Sequence, residues 1–161
     1  MSTRRPAPRR RDTDPPPEVL YSLSEQETLA IGRHTGSRLK GGELILLVGD
    51  LGMGKTIFVK GLAWGLEINP DEVCSPTFVL VSPHEGRLPL YHVDLYRIEN
   101  PGEIFDLGLE EYLDSGAVVA VEWGEKLPAD LKEGALEVRF TDLGQGSRRI
   151  AVRRIANTHW E

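Results

Sequence analysis

The sequence predicts a single α/β domain with a mixed, mainly parallel central sheet and antiparallel additions. Short apolar runs alternate with segments of helical periodicity, a glycine-rich loop joins one such run to a helix, and two alternating segments flank Gly144-Gln145-Gly146 near the end. Continuous apolar runs are typical of buried parallel strands, and alternation is typical of antiparallel strands with one exposed face. At 161 residues the chain is long enough for one well-buried core.

The beginning of the chain differs in composition from the rest. Residues 1–17 contain five arginines, two aspartates and a run of three prolines, which predicts a disordered Pro/Arg-rich leader. Residues 18–161 are predicted to form the domain. The leader carries a net charge of +3 and the whole chain −6, so the domain carries −9. Such an acidic surface disfavours phosphate backbones, so we expect no DNA binding and no strong direct RNA binding by the domain.

Local signals place most of the remaining elements. Ser24 and Glu27 form a capping box, which predicts a helix from Ser24 to about Lys40, where Gly41-Gly42 ends it. Short helices are predicted at 101–105 and 109–113. Strands are predicted, in chain order, at residues 77–81, 88–94, 117–121, 136–141 and 150–155, with the first two and the last two forming hairpins.

The most informative motif is Gly49-Asp50-Leu51-Gly52-Met53-Gly54-Lys55-Thr56, which matches the phosphate-binding pattern G-x-x-x-x-G-K-[ST]. An apolar strand at 43–48 precedes it and a helix at 56–66 follows it, which is the required order. The glycines allow backbone N–H groups to cradle phosphate oxygens. Lys55 can reach the β- and γ-phosphates, and the Thr56 hydroxyl can bind Mg²⁺. The motif therefore predicts a P-loop NTPase domain.

Two carboxylates at strand ends can complete a magnesium site. Asp94 ends an apolar run that His92 interrupts, and Glu122 follows the strand at 117–121. Carboxyl ends of parallel strands line the ligand crevice of such sheets. Two structural alternatives stay open for Asp94, capping of the Asn100 region or pairing with Arg97. For Glu122 the alternative is a surface carboxylate.

Two further segments are candidates for nucleotide contact. Ser75-Pro76-Thr77-Phe78 lies where a switch loop senses a γ-phosphate, with the hydroxyl of Ser75 or Thr77 as the contact, although Pro76 alone explains a fixed strand entry equally well. Trp123 can stack on a base or a partner, or serve as a buried core aromatic. The sequence contains no N-K-x-D-type segment, which argues against a GTPase.

Taken together, these segments resemble the bacterial TsaE family, the ATPases of tRNA threonylcarbamoyladenosine biosynthesis. The resemblance covers about residues 19–155 and rests on the P-loop together with S-P-T-F at 75–78, H-V-D-L-Y-R at 92–97 and V-E-W at 121–123. Two positions depart from the family pattern: Met53 stands where alanine is usual, and Ile57 where a second threonine is common. Neither departure removes the Lys55 amine or the Thr56 hydroxyl.

The resemblance implies a cytoplasmic, Mg²⁺-dependent ATPase, weak alone, that resets the TsaD–TsaB complex between rounds of tRNA modification, with tRNA held by those partners. It implies catalytic roles for Lys55, Asp94 and Glu122. Metal binding is implied for Thr56, Asp94 and Glu122. Nucleotide contacts are implied for Ser24, Gly49, Asp50, Leu51, Gly52, Met53, Gly54, Lys55, Thr56, Thr77, Trp123 and Arg148, with Arg149 as the alternative to Arg148.

Two other functions fit a P-loop. A small-molecule kinase usually needs an arginine-bearing lid, and the candidate lid at 124–134 contains lysines but no arginine. A nucleotide-gated binding module would hydrolyse hardly at all. No apolar run approaches membrane-spanning length, no apolar segment follows the basic start, and the single Cys74 fits a reducing cytosol. These features predict neither membrane insertion nor secretion.

Overall fold

The structure, a computed structural model, describes residues 16–49, 54–74 and 80–156. The strands in this part of the chain are β1 Glu18–Ser22, β2 Leu44–Gly49, β3 Val81–His84, β4 Leu90–Asp94, β5 Val118–Glu122, β6 Leu136–Gly144 and β7 Ser147–Arg154. The α-helices are α1 Glu25–Ser37, α2 Gly54–Gly65, α3 Gly102–Phe105, α4 Leu109–Asp114 and α5 Ala129–Lys132, with 3-10 turns at Pro70–Glu72 and Gly124–Lys126.

All of these strands belong to one sheet with the order β1-β7-β6-β2-β5-β4-β3. The four adjacent strands β6, β2, β5 and β4 are mutually parallel. The outer strands β7 and β3 run antiparallel to their inner neighbours, and β1 pairs antiparallel with β7. The predicted mixed α/β architecture, with a mainly parallel centre and antiparallel additions, is confirmed.

The sheet is covered on both faces, which explains its continuous apolar strands. In β2, Ile45 and Leu47 pack with the residues of α2, whereas Leu44, Leu46 and Val48 pack on the other face with α3 and α4. Successive side chains of a strand point to opposite faces, so a strand buried on both sides is apolar at every position. The same alternation in β5 continues to its last residue, Glu122, which therefore lies on the α2 face.

Helices α1 and α2 pack with their backbones in close approach. A side chain at Gly32 would overlap the carbonyl oxygen of Phe58, and one at Gly61 would overlap that of Leu29. Gly36 and Gly65 have the same constraint. The four glycines therefore fix the position of α1 against α2. They also fix the direction in which α2 runs from its first residue.

Helix α1 begins and ends close to its predicted bounds. The Ser24 side chain accepts from the Glu27 N–H at 3.1 Å, so the predicted N-cap is confirmed. The Glu27 carboxylate accepts from the N–H of Leu23, one residue before the N-cap, at 2.6 Å rather than from that of Ser24 itself. The helix ends at Ser37 rather than near Lys40, because the following residues close an i→i+3 turn.

The observed elements differ from the sequence predictions in several places. Strand β1 was not predicted, since it is short and follows directly on prolines. The predicted strand at 77–81 and β3 share only Val81, and residues 77–79 of that prediction lie outside the described residues; Pro83 lies within β3. Proline is tolerated on edge strands, which is the position of β3. The short helix α5 and both 3-10 turns also had no clear sequence signal.

Some sequence predictions fall on residues that the structure does not describe. The predicted leader lies outside the described residues except for Pro16 and Pro17, and so does the whole candidate switch segment at 75–78. Within the described ranges, no helix is long and apolar enough to cross a membrane.

Candidate functional site

The ends of three neighbouring parallel strands form one edge of the sheet. Gly49 ends β2, Asp94 ends β4 and Glu122 ends β5. Asp94 is paired in register with Glu122, and Leu47 of β2 is the partner of Glu122 on its other side. The sheet register therefore brings together the carboxylates of Asp94 and Glu122, which are separated in the sequence by α3 and α4.

The turn after β2 depends on a glycine. Gly49 has a φ of +113°, and an added side chain would overlap the carbonyl oxygen of Phe140 on β6. Helix α2 begins at Gly54, and Lys55 in its first turn donates from Nζ to the Gly49 carbonyl oxygen at 3.0 Å. Lys55 is only 3% exposed. A buried ammonium group thus stands at the helix N-terminus, where the helix dipole already favours an anion.

Trp123 adjoins this lysine. The Lys55 Nζ lies 4.4 Å from the Trp123 ring centroid, a distance typical of a cation–π interaction. Trp123 has a φ of +61°, which is uncommon outside glycine, and Gly124 then passes close against Leu46. Tyr96 also adjoins Trp123, with the two ring centroids 5.2 Å apart. The strained turn therefore directs a partly exposed aromatic ring at the site.

The Glu122 carboxylate is held at both oxygens. Thr56 donates its hydroxyl to Oε1 at 3.0 Å, and the Nε2 of His92 lies 2.6 Å from Oε2. Glu122 is 6% exposed and His92 is fully buried. The alternative of a surface carboxylate is therefore wrong for Glu122, whose side chain links β5 to α2 and β4.

Asp94 is partly buried beside Glu122. Its Oδ1 accepts from the Tyr96 N–H at 2.9 Å, so it caps the turn that follows β4. Burial raises the pKa of Asp94, and the nearby Glu122 carboxylate raises it further. The side-chain oxygen of Asn100 accepts from the Gly102 N–H, so Asn100 caps its own turn. The alternative in which Asp94 caps that region is therefore wrong.

Arg148 lies over the start of α2. An added Cβ at Gly54 would be 2.9 Å from the Arg148 guanidinium carbon. The Arg148 Nη1 is buried and has no hydrogen-bond partner among the described residues. Arg148 pairs in register with Ser22, two residues before Ser24 at the N-cap of α1. Of the two candidate arginines of the closing hairpin, Arg148 therefore has its guanidinium beside the start of α2.

The structure brings six of the sequence-predicted residues to this edge: Gly49, Gly54, Lys55, Thr56, Asp94 and Glu122. Trp123 and Arg148 flank them, and Ser24 follows two residues after Ser22, the register partner of Arg148. Asp50, Leu51, Gly52, Met53 and Thr77 lie outside the described residues. His92 and Tyr96 were missed as site neighbours. The signal for His92 was its polar side chain within an apolar strand.

The candidate lid at 124–134 is anchored to the body of the protein. Lys126 donates to the carbonyl oxygens of Tyr96 at 2.7 Å and Ile98 at 3.1 Å. Leu127 is buried in the core on the side of α3 and α4. A segment fixed in this way does not behave as the mobile arginine lid that a small-molecule kinase needs.

The oxygen donors at the edge suit a hard cation. Thr56, Asp94 and Glu122 offer a hydroxyl and two carboxylates, which are ligand types that Mg²⁺ prefers. In ranges 16–49, 54–74 and 80–156, no group of three or more His, Cys, Asp or Glu side chains is arranged so that it could hold a metal ion by itself. Mg²⁺ does not require one, since it commonly keeps several waters and is held by one or two carboxylates together with phosphates.

Comparisons with known proteins agree on one family. The model of the family described as "Threonylcarbamoyl adenosine biosynthesis protein TsaE" matches residues 22–150. The chain is 41% identical to the tRNA threonylcarbamoyladenosine biosynthesis protein TsaE of Treponema pallidum (strain Nichols), over 81% of this chain and 96% of that protein. It is 45% identical to the protein of that name from Nostoc sp., over 83% of each chain.

A solved structure extends the likeness to three dimensions. The chain is similar to the crystal structure of Bacillus subtilis YdiB, with a TM-score of 0.68 and 34% sequence identity. The similarity covers 88% of this chain and 87% of that chain.

Proposed function

Because this chain belongs to the TsaE family of threonylcarbamoyl adenosine biosynthesis proteins, we propose that it is a Mg²⁺-dependent P-loop ATPase of the tRNA N6-threonylcarbamoyladenosine modification machinery. It acts in the cytoplasm beside the TsaD and TsaB proteins and resets their complex between turnovers. The observation that carries the proposal is the convergence of Lys55, Thr56 and Glu122 at the N-terminus of α2.

Lys55 supplies positive charge for a bound polyphosphate. Its buried ammonium group lies between the Gly49 carbonyl oxygen and the Trp123 ring, both of which are weaker partners than a phosphate oxygen. Hydrogen bonds between ionised groups are roughly twice as strong as neutral ones. We therefore expect Lys55 to exchange these partners for ATP phosphate oxygens. The Nη1 of Arg148, which has no hydrogen-bond partner in the described part of the chain, is a second donor toward the same anion.

Thr56 and Glu122 are the residues that would hold Mg²⁺, with Asp94 supporting the metal or its water. Bound Mg²⁺ supplies charge neutralisation between the β- and γ-phosphate oxygens. Glu122 is directed at this position by its bonds to Thr56 and His92. Its carboxylate is also placed to orient an attacking water, because each oxygen retains a lone pair beyond the bond that fixes it.

The charge distribution supports an indirect relation to tRNA. The domain is strongly acidic, so the tRNA backbone is expected to be bound by TsaD and TsaB rather than by this chain. The ATPase cycle would then act on the partner proteins.

The test uses Glu122→Ala with Glu125→Ala as the matched control. Glu125 is an exposed carboxylate in the 3-10 turn that follows β5, so its loss removes the same charge outside the site. Nucleotide affinity, TsaD–TsaB-stimulated phosphate release and multiple-turnover tRNA modification are measured on each variant. We expect Glu122→Ala to keep near-normal ATP affinity while phosphate release falls on the order of a hundredfold, the effect of losing one positioned acid–base group.

The outcomes separate the possible functions. An unchanged rate of ATP hydrolysis in Glu122→Ala would show that Glu122 has no part in catalysis. Normal repeated modification despite lost hydrolysis would show that the reset role is wrong and favour a nucleotide-gated binding module. Transfer of label from the γ-phosphate of ATP to a metabolite would establish a kinase instead.

A further inference from the structure

His92 is a buried polar residue in the middle of a core strand. It is fully buried in β4, next to Val93 and two residues after Leu90, both of which are also fully buried. Burying an imidazole costs free energy unless it gains a hydrogen bond. An apolar residue would pack in this position without that cost, so the hydrogen bond that His92 makes requires an explanation.

The geometry indicates which nitrogen carries the proton. Nε2 lies 2.6 Å from Oε2 of Glu122, whereas Nδ1 is buried with no hydrogen-bond partner among the described residues. If Nδ1 carried the proton, it would be a buried donor without an acceptor, and such a group is expensive. With the proton on Nε2, the imidazole donates to the carboxylate and Nδ1 has only an unused lone pair. The second arrangement fits the site.

The hydrogen bond between His92 and Glu122 also affects Thr56, because Glu122 contacts both residues. The terminal torsion of a glutamate is soft, so one hydrogen bond leaves the carboxylate plane free to turn. Here His92 fixes Oε2, and Oε1 is then left to accept the Thr56 hydroxyl proton at 3.0 Å. Because a hydroxyl rotates to suit its acceptor, this bond directs the Thr56 oxygen lone pairs away from Glu122. Those lone pairs are the ones a cation uses.

We propose that His92 is a positioning residue that sets the rotation of the Glu122 carboxylate and, through it, the orientation of the Thr56 hydroxyl toward Mg²⁺. The inference rests on the proposed nucleotide site and assigns to it a residue that makes no contact with the nucleotide. Partners that orient metal ligands commonly contribute ten- to a hundredfold to metal affinity. We therefore expect the Mg²⁺ dependence of ATP binding, rather than ATP binding itself, to report on His92.

The test compares three substitutions in the full chain. These are His92→Leu, His92→Asn and His92→Gln. In His92→Gln the side-chain amide nitrogen can occupy the place of the imidazole Nε2, whereas the shorter asparagine side chain cannot reach Glu122. ATP affinity is measured by calorimetry in excess EDTA and across a Mg²⁺ titration. We expect the Mg²⁺ concentration for half-maximal enhancement to rise about tenfold in His92→Leu and His92→Asn. His92→Gln is expected to stay within about threefold of wild type, and affinity in EDTA to change little in all three.

A double substitution and a second histidine supply the controls. If His92 acts through Glu122, His92→Leu adds no further loss of Mg²⁺ enhancement to Glu122→Ala. His84→Gln is the matched control, because His84 is a partly buried histidine on the neighbouring strand β3. Its Mg²⁺ response is expected to equal that of wild type. Thermal unfolding of each variant checks that it is folded, and the Gln and Asn variants keep the comparison informative if the Leu variant is not.

Two results would overturn the inference. One is a wild-type Mg²⁺ response in both His92→Leu and His92→Asn. The other is a loss in His92→Leu that adds fully to that of Glu122→Ala, since independent effects cannot pass through one carboxylate. Failure of the proposed function looks different, because wild-type protein itself would then show no Mg²⁺-enhanced ATP binding.

Discussion

The guanidinium of Arg148 lies over Gly54, so closely that a methyl group at Gly54 would be 2.9 Å from the guanidinium carbon. The two residues are far apart in the sequence and meet because β7 lies beside β6, which in turn lies beside β2. Gly54 begins α2, so the arginine adds a fixed positive charge to the positive end of the helix dipole. One face of the candidate phosphate site is therefore formed by the last strand of the fold.

Arg148→Ala is expected to weaken ATP binding by about ten- to a hundredfold, because a charge-assisted hydrogen bond contributes roughly 1.5–3 kcal/mol. Arg149→Ala is the control, since the side chains of adjacent strand residues point to opposite faces. Calorimetric titration with ATP and Mg²⁺ measures both. Equal affinities for the two variants would show that Arg148 does not contact the nucleotide.

Gly61→Ala is expected to destabilise the fold by about 1–3 kcal/mol, the usual cost of overpacking. The added methyl group would overlap the Leu29 carbonyl oxygen and lie 2.8 Å from the Arg33 nitrogen. Alanine favours helices over glycine, so helix propensity alone predicts the opposite sign. Urea unfolding of Gly61→Ala beside Lys60→Ala, its neighbour on α2, distinguishes the two effects. Stabilisation by Gly61→Ala would contradict the close approach of α1 and α2.

Asp94→Asn is expected to stabilise the nucleotide-free protein near neutral pH. Burial raises the pKa of Asp94 in the folded state, so folding favours its protonated form. Below the ordinary Asp pKa of about 3.9 the group is neutral in both states and imposes no such penalty. As pH rises from there through the folded-state pKa, the wild type loses stability that the Asn variant keeps. Free energies of unfolding at several pH values should diverge in this direction, and a gap that shrinks as pH rises would contradict it.

Trp123 is expected to report nucleotide binding by its fluorescence. Lys55 lies over its ring without nucleotide and is expected to leave that ring for the phosphates, which changes the environment of the indole. ATP added to Trp64→Phe should still change the emission, whereas Trp123→Phe should lose the change. A signal that survives in Trp123→Phe would place the reporter elsewhere.

The sequence was sufficient where signals are local. The strand before the glycine-rich loop, the helix after it and the N-cap at Ser24 depend on neighbouring residues, and the structure confirms those predictions. The positions of Asp94 and Glu122 at strand ends could also be predicted, because each residue ends an apolar run. Strand β1 could not, since an edge strand of five residues has no strong periodicity and depends on its pairing with β7.

Contacts that depend on strand order were beyond the sequence. His92 and Glu122 are 30 residues apart and meet because β4 and β5 are parallel neighbours in a particular register. Thr56 and Glu122 are 66 residues apart. Local patterns identify a polar residue in a core strand but do not give its partner. The hydrogen bonds of the site are therefore a product of sheet register.

The most direct test of the account is the ATP affinity of Lys55→Ala beside Lys40→Ala, measured by calorimetry at fixed Mg²⁺. Lys40 is an exposed lysine just beyond α1, so its substitution removes the same charge from the surface. Lys55 is buried at the start of α2, where a positioned charge contributes several kcal/mol to the binding and transfer of a phosphoryl group. We expect Lys40→Ala to bind ATP with wild-type affinity and Lys55→Ala to lose ATP affinity on the order of a hundredfold or more. Affinities within twofold of wild type for both variants would contradict the assignment of residues 49–56 as the phosphate-binding loop.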